Sequence, residues 1–225
     1  MNNAPTFSDT QRDLIEELKW AGKQATANRL VIGSGGNLSA RVPGSDTFLI
    51  TASGTWLDTL KEEDFSLISL TGDVVGGHAT PSSEFRLHLA AYGTRDDVNA
   101  VFHFHPQASV LLDALGHTIR LMTIDHVYYV RNIASTPWIP AGSEEIATAT
   151  SAALESSDVV ILGHHGCSVV ADSIELAYKR AANLEEAASA TLNALLLGDT
   201  TTECPPAYRE LLENRAAIPE LRDRH

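Results

Sequence analysis

Short strand-like and helix-like segments alternate along this chain, but not in the regular strand–helix–strand order that predicts a fully parallel sheet. Two β-hairpins are expected in the first third of the sequence, with turns at residues 43–46 and 71–73. The mixture predicts a three-layer α/β/α fold with a mostly antiparallel or mixed central sheet. The other expected elements are a helix capped by Ser8 and Gln11, strands over 37–42, 98–104 and 158–162, a helix over 84–92, a helix beginning at Pro106, a long helix over 173–197 and a short one over 208–215.

The length and composition favour one domain over residues 1–225, with a core over about 8–198 and a tail over 199–225. The N-terminus shows no basic region followed by an apolar one, and no stretch approaches the roughly 20 apolar residues that span a bilayer. The two cysteines, Cys167 and Cys204, are expected to be reduced. Together these features predict a cytoplasmic protein that does not interact with a membrane.

The charge balance concerns possible partners. The chain has 29 acidic against 16 basic residues, a formal net charge of −13. This argues against a nucleic-acid partner, because neutralising phosphates needs clustered lysines and arginines. It does not exclude an anionic small molecule, since a metal ion and a few amides can override the global field locally.

Nine histidines stand out beside two cysteines, and His103 and His105 lie on a predicted strand. Residues two apart project from the same face of a strand, so these two imidazoles point together. Such a pair suits Zn²⁺ or a similar divalent ion. Two hydrogen-bonded histidines at a strand edge are the alternative.

Another pair, His164 and His165, is enclosed by glycines in residues 163–166. It directly follows an apolar predicted strand, where the sheet fixes the backbone and the loop gives access to a ligand. An exposed turn without a ligand is the alternative.

Glu84 follows Ser82 and Ser83 at the start of a predicted helix. A carboxylate there opposes the helix dipole, or it lies beside a metal and an anion that the hydroxyls and free amides bind. His88, four residues later on the same helix face, is expected to pack in the core or to support such a site.

Taken in order, five motifs resemble the class II aldolase/adducin family, and the resemblance runs from about residue 10 to residue 197. It implies the family's α/β fold and the activity of its catalytic members. That activity is a divalent-metal-dependent lyase reaction, the retro-aldol cleavage of a small phosphorylated ketose through a stabilised enediolate. The motifs are Gly35-Gly36-Asn37-Leu38-Ser39, Thr51-Ala52-Ser53-Gly54, Pro81-Ser82-Ser83-Glu84, His103-Phe104-His105-Pro106 and His165-Gly166.

The resemblance also implies roles for individual residues. His103, His105 and His165 would hold the metal, with Zn²⁺ expected first and Mn²⁺, Co²⁺ or another divalent ion as alternatives. Glu84 would act as the acid/base beside it. The substrate phosphate would bind in a pocket made by Gly36, Asn37, Ser53, Gly54, Ser82 and Ser83.

The resemblance further implies a homotetramer with sites between subunits, in which a neighbouring subunit supplies a proton donor. His126, Tyr128 and Tyr129 are the candidates for that donor, and an ordinary strand pair is the alternative for the two tyrosines. The sequence is also similar to a family branch that decarboxylates 3-oxo-tetronate 4-phosphates, so a phosphorylated sugar acid is the alternative substrate. A non-catalytic, adducin-like interaction module is the third alternative.

Overall fold

The structure, a computed structural model, describes residues 7–216 and is built on a mixed β-sheet. A short 3₁₀ helix, Glu62–Asp64, precedes the third strand. The strands are β1 (Asn37–Arg41), β2 (Thr47–Thr51), β3 (Phe65–Ser69), β4 (Val74–Gly77), β5 (Ala100–Phe104), β6 (Ile133–Thr136), β7 (Val159–Leu162) and β8 (Gly166–Ala171). The helices are α1 (Asp9–Ala27), α2 (Phe85–Thr94), α3 (Gln107–Ala114), α4 (Ile124–Val130), α5 (Glu144–Leu154), α6 (Ile174–Leu196) and α7 (Pro206–Ala216).

Within the described residues the strands pair in the order β4-β3-β2-β1-β5-β8-β7-β6. Neighbouring strands of this sheet run antiparallel except β6 and β7, which run parallel. Helices cover both faces of the sheet, so the expected three-layer fold with a mixed sheet is confirmed.

Each face of the sheet carries its own apolar core. The larger core packs α1, α3, α4 and α6 against one face, where β5 contributes Phe102 and Phe104. The smaller core packs α2 and α5 against the other face, where β5 contributes Val101. Side chains alternate between the faces of a strand, so His103 points to the same side as Val101, toward α2.

Helix α1 begins as the sequence predicts. Ser8 Oγ accepts the Gln11 N–H at 3.3 Å, and Gln11 Oε1 accepts the Ser8 N–H at 2.9 Å. This reciprocal pair satisfies two backbone donors that a helix start leaves without partners. Both predicted hairpins, the long α6 and the short tail helix α7 are also present. The two ends of the predicted domain, residues 1–6 and 217–225, lie outside the described residues.

Tyr128 and Tyr129 lie on helix α4, so the interpretation as a strand pair is wrong. Thr123 begins the helix: its hydroxyl accepts the His126 N–H at 3.2 Å, and the His126 ring accepts the Thr123 N–H. This capping arrangement outweighs the strand preference of two adjacent tyrosines. Strands β6 and β8 and helix α5 were not predicted from the sequence.

Among residues 7–216, no helix is both long enough and apolar enough to cross a membrane.

Candidate active site

Three histidines meet where β5 ends and β8 begins. His103 lies on β5, His105 directly follows that strand, and His165 lies in the tight turn that joins β7 to β8. Strands β5 and β8 are antiparallel neighbours, with Phe104 opposite Cys167. The three ring centroids are therefore only 4.8 to 5.0 Å apart.

Close approach of the backbone makes this convergence possible. A Cβ atom on Gly166 would lie 2.3 Å from the Phe104 carbonyl oxygen and 2.6 Å from the His105 ring. Gly36, with φ +80°, approaches from the other side, where a Cβ atom would lie 2.7 Å from the His103 carbonyl oxygen. These two positions exclude every residue larger than glycine.

The donor atoms fit a divalent metal ion. His103 Nε2 and His105 Nε2 are 2.9 Å apart, and one ligand atom from each of Glu84, His103, His105 and His165 lies within 4.8 Å of the others. His103 Nδ1 lies 3.0 Å from the Cys167 carbonyl oxygen, so Nδ1 donates to that oxygen and Nε2 faces the centre. Three imidazoles beside a carboxylate are a donor set that Zn²⁺ and related ions prefer.

Glu84 is the N-cap residue of α2, and its carboxylate lies between two of these imidazoles. Its Oε2 lies 3.2 Å from His103 Nε2 and accepts an N–H from Asn37 at 3.0 Å. Its Oε1 lies 3.4 Å from His165 Nε2 and has no hydrogen-bond partner. A buried carboxylate oxygen without a partner, aimed at three imidazoles, is suited to contact a cation or a proton.

Burial sets the protonation states around this centre. Burial lowers the pKa of His105 to about 4 and also lowers the pKa of His165, so both rings are neutral near neutral pH. Burial alone raises the pKa of Glu84, but hydrogen bonds and electrostatic attraction, chiefly from His103, lower it to about 2. The site therefore holds two neutral imidazoles, those of His105 and His165, and an ionised carboxylate, which are the forms that bind a metal.

Backbone hydrogen bonds join the two loops that carry the serines expected to bind phosphate, next to Glu84. The Ser53 N–H donates to the Thr80 carbonyl at 3.1 Å, and the Ser82 N–H donates to the Thr51 carbonyl at 3.1 Å. Ser82 Oγ in turn accepts the Glu84 N–H at 3.3 Å. Ser53, Gly54 and Ser83 are exposed, whereas Ser82 is buried.

Asn37 occupies a different place from the other residues expected to bind phosphate. It is buried, and its side-chain amide donates to Glu84 while its side-chain oxygen contacts His88. Its role toward a phosphate stays a prediction, since both ends of the side chain are engaged within the protein.

The three candidate proton donors differ in their surroundings. His126 is fully buried, with Nε2 at 2.6 Å from Glu186 Oε2 and Nδ1 accepting the N–H groups of Met122 and Thr123 at 3.3 and 3.4 Å. Both of its ring nitrogens are thus hydrogen-bonded within the same chain. Tyr128 and Tyr129 are half-buried on α4, which packs on the face of the sheet opposite α2 and Glu84.

The sequence pointed to His88 as a packing or supporting residue, but it did not show the group of polar residues that His88 joins behind Glu84. His88 and Tyr92 of α2 and Ser39 of β1 are buried and hydrogen-bonded to one another. The repeated four-residue spacing of Glu84, His88 and Tyr92 is the signal that could have found it, because such residues share one face of a helix.

Comparisons with known proteins identify the family of this chain. The profile of the Class II Aldolase and Adducin N-terminal domain matches residues 16–192. The L-fuculose phosphate aldolase of Methanocaldococcus jannaschii is 36% identical over 169 residues, which cover 75% of this chain and 90% of that protein. The 5-deoxy-D-ribulose 1-phosphate aldolase of Bacillus thuringiensis is 29% identical over 170 residues, covering 76% of this chain and 80% of that protein.

A solved structure of an L-fuculose 1-phosphate aldolase superposes with a TM-score of 0.82 at 26% identity, covering 95% of this chain and 99% of that one. Sequence profile, relatives and backbone thus point to one group of proteins. This chain belongs to the class II aldolase/adducin family.

Proposed function

We propose that this protein is a divalent-metal-dependent class II aldolase that cleaves a small phosphorylated ketose into dihydroxyacetone phosphate and an aldehyde. The observation that carries the proposal is the cluster of Glu84 with His103, His105 and His165, whose ligand atoms lie within 4.8 Å of one another. The relatives named for L-fuculose phosphate and 5-deoxy-D-ribulose 1-phosphate support this substrate class.

His103, His105 and His165 would hold the ion, and we assign Zn²⁺, with Mn²⁺, Co²⁺ or another divalent ion as alternatives. Three neutral imidazoles leave the ion dipositive with open positions, as a catalytic zinc site requires. An ion bound there would stabilise the negative charge of an enediolate.

Glu84 is ionised in the resting site, which is the form that takes a proton from the carbon beside a ketone. In the direction of condensation, the carboxylate removes that proton, the enediolate carbon bonds to the aldehyde carbon, and the aldehyde oxygen receives a proton from a donor. Cleavage is the reverse and starts from protonated Glu84 and a deprotonated donor: the donor takes the hydroxyl proton, the carbon–carbon bond breaks, and Glu84 gives its proton to the enediolate carbon. Proton exchange with solvent, from the donor and to Glu84, then restores the starting state of both groups.

We assign the donor to Tyr128 or Tyr129 of the partner subunit, in a homotetramer with sites between subunits. The support is that α4 lies on the sheet face opposite Glu84 and that both ring nitrogens of His126 are already bonded. Light scattering tests this assembly, and a monomer with full activity would contradict it.

The phosphate of the substrate would bind beside Glu84, at the paired loops that carry Ser53, Gly54, Ser82 and Ser83. Gly36 and Asn37 would complete this pocket from the loop before β1. Backbone N–H groups and hydroxyls bind an anion locally even in a chain with a net charge of −13. The binding energy of the phosphate then orients the reacting end of the sugar.

Cys167 and Cys204 are both buried free thiols. They support a reducing compartment, and we place the enzyme in the cytoplasm. Its partners are small phosphorylated molecules, with no nucleic acid and no membrane among them.

The test is product analysis with zinc-loaded protein and a panel of ketose 1-phosphates. Dihydroxyacetone phosphate and an aldehyde should appear in equal amounts, and a chelator should abolish both.

Glu84→Gln should lower turnover by about 10²- to 10⁴-fold while metal content stays unchanged, with Glu175→Gln on the exposed face of α6 as the control. Release of carbon dioxide from a 3-oxo acid phosphate, without aldehyde, would instead favour the decarboxylase. Failure to take up any divalent metal would favour the interaction module.

A further inference from the structure

A line of buried polar side chains runs from Glu84 into the layer between the sheet and α2. Asn37 Nδ2 donates to Glu84 Oε2 at 3.0 Å, and Asn37 Oδ1 contacts His88 Nε2. His88 Nδ1 lies 2.6 Å from Ser39 Oγ, which lies 2.7 Å from the Tyr92 hydroxyl. Each of these side chains other than Glu84 is at most 4% exposed.

The chemistry of the groups fixes the direction of every hydrogen bond in this line. An ionised Glu84 only accepts, so Asn37 must turn its NH₂ group to the carboxylate and its oxygen to His88. His88 must then donate from Nε2, because two acceptors cannot face each other at hydrogen-bond distance. A neutral His88 then accepts at Nδ1 from the Ser39 hydroxyl, which accepts from Tyr92 in turn.

His88 is held in the neutral form that this pattern needs. It is completely buried, and burial lowers its pKa to about 3. His103 lowers the pKa of His88 further, and Glu84 opposes this. Two charged groups flank the line, Glu84 at one end and Arg41 at the other, whose guanidinium lies 5.0 Å from the centre of the Tyr92 ring. Neither contacts the His88 ring in the hydrogen bonds of the described residues.

Packing alone does not explain why a histidine occupies position 88. Val101, Leu87 and Ala91 line the same layer, and an apolar side chain in place of His88 would match them. Buried polar groups reduce stability unless all of them are bonded, and this line satisfies its members only by ending on the Glu84 carboxylate.

We propose that His88 is a positioning residue, which holds the Asn37 amide so that it donates to Glu84 and fixes the carboxylate between His103 and His165. The inference rests on the proposed function, because it gives Glu84 the orientation in which its free oxygen faces the reacting carbon. Ser39 and Tyr92 extend the same line and fix the His88 ring in turn.

Three substitutions at one position separate this role from packing. Gln places an N–H close to the site of Nε2, Asn places one close to the site of Nδ1, and Leu places none. His88→Leu and His88→Asn should lower kcat by about 10- to 100-fold, with KM and metal content within about 3-fold of the wild type. His88→Gln should restore most of the loss.

Leu87→Ala is the matched control, since it removes a buried side chain from the next position of α2 without touching the line. It should lower the melting temperature and leave kcat nearly unchanged. Wild-type kcat in His88→Leu would overturn the inference. Equal losses of kcat in the Leu and Gln variants, in proportion to the decrease in their melting temperatures, would also overturn it.

Crystal structures supply a readout that does not depend on activity. In His88→Gln the Glu84 carboxylate should keep its place, and in His88→Leu the Asn37 amide should turn away and Glu84 should move. An unmoved Glu84 in His88→Leu would refute the positioning role even if the wild type cleaves no phosphorylated ketose. A wild-type protein that cleaves no phosphorylated ketose, but in which His88→Leu does move Glu84, would refute the proposed function and still support the positioning role.

Discussion

Burial and hydrogen bonding together give neighbouring ionisable residues different charge states in this site. Glu84 stays ionised because hydrogen bonds and attraction from His103 outweigh its burial, whereas His105 and His88 stay neutral because burial disfavours their charged forms. An ionised carboxylate thus lies beside the neutral imidazole of His105, which is free to bind a cation. This separation arises from positions on α2 and at the end of β5, and no single motif contains it.

The His88 ring also makes the stability of the fold depend on pH. Its pKa falls from 6.5 to about 3 on folding, first through burial and then through the nearby His103. The unfolded chain therefore takes up a proton below pH 6.5 that the folded protein does not, so its stabilising contribution is complete above pH 6.5. As pH falls toward 3, the unfolding free energy should decrease by up to about 1.4 kcal/mol per pH unit.

Urea unfolding of metal-free protein between about pH 7 and pH 4 measures this dependence. Because other histidines titrate as well, the informative quantity is the difference between the wild type and His88→Gln. The wild-type curve should be the steeper one, and parallel curves would show that His88 does not contribute.

Among the elements, those with local signals were predictable from sequence. Helix α1 has its capping residues, the two hairpins have their turn residues, and His103 and His105 have the two-residue spacing that places both on one side of β5. Strand β8 was missed because all six of its residues are buried, which removes the alternation that marks a half-buried strand. The Asn37–Glu84 contact joins residues 47 positions apart, so only the folded chain shows it.

The approach of β8 to β5 leads to a test with paired glycine substitutions. Gly166→Ala would place a Cβ atom 2.3 Å from the Phe104 carbonyl oxygen, so the two strands must separate. We expect a loss of about 1–3 kcal/mol in unfolding free energy, together with reduced zinc content because His165 moves away from His103. Gly93→Ala in α2 meets nothing within 4 Å and should instead stabilise the protein by about 0.5–1 kcal/mol.

Urea unfolding and metal analysis of the purified variants provide both readouts. Full zinc content in Gly166→Ala would show that the strand spacing does not set the geometry of the metal ligands.

At the scale of the whole molecule, one buried carboxylate connects the two layers of helices. Asp158, just before β7, lies 2.7 Å from Arg95 at the end of α2 and 3.0 Å from Arg180 of α6. Arg131 approaches it at 3.7 Å from the end of α4. Helices α2 and α6 pack on opposite faces of the sheet, so Asp158 joins both cores at the end of the sheet away from β4.

Asp158→Asn removes this charge with almost no change in volume, and it should destabilise the whole protein. Arg180 is 3% exposed, and burial lowers its pKa to about 10 although Asp158 opposes that shift. Without Asp158 the buried guanidinium loses its counter-ion, which typically costs about 3–5 kcal/mol. Asp97→Asn is the matched control, because Asp97 also binds Arg95 but with a side chain that is 67% exposed, and it should cost at most about 1 kcal/mol.

Urea unfolding followed by both fluorescence and circular dichroism shows whether Asp158→Asn destabilises the whole protein or one helical layer alone. Because Asp158 contacts both layers, the two signals should shift together to lower urea in Asp158→Asn, as a single cooperative transition requires. Separate transitions would show that the two helical layers unfold independently. An unfolding free energy equal to that of Asp97→Asn would mean that solvent reaches Arg180 and screens its charge.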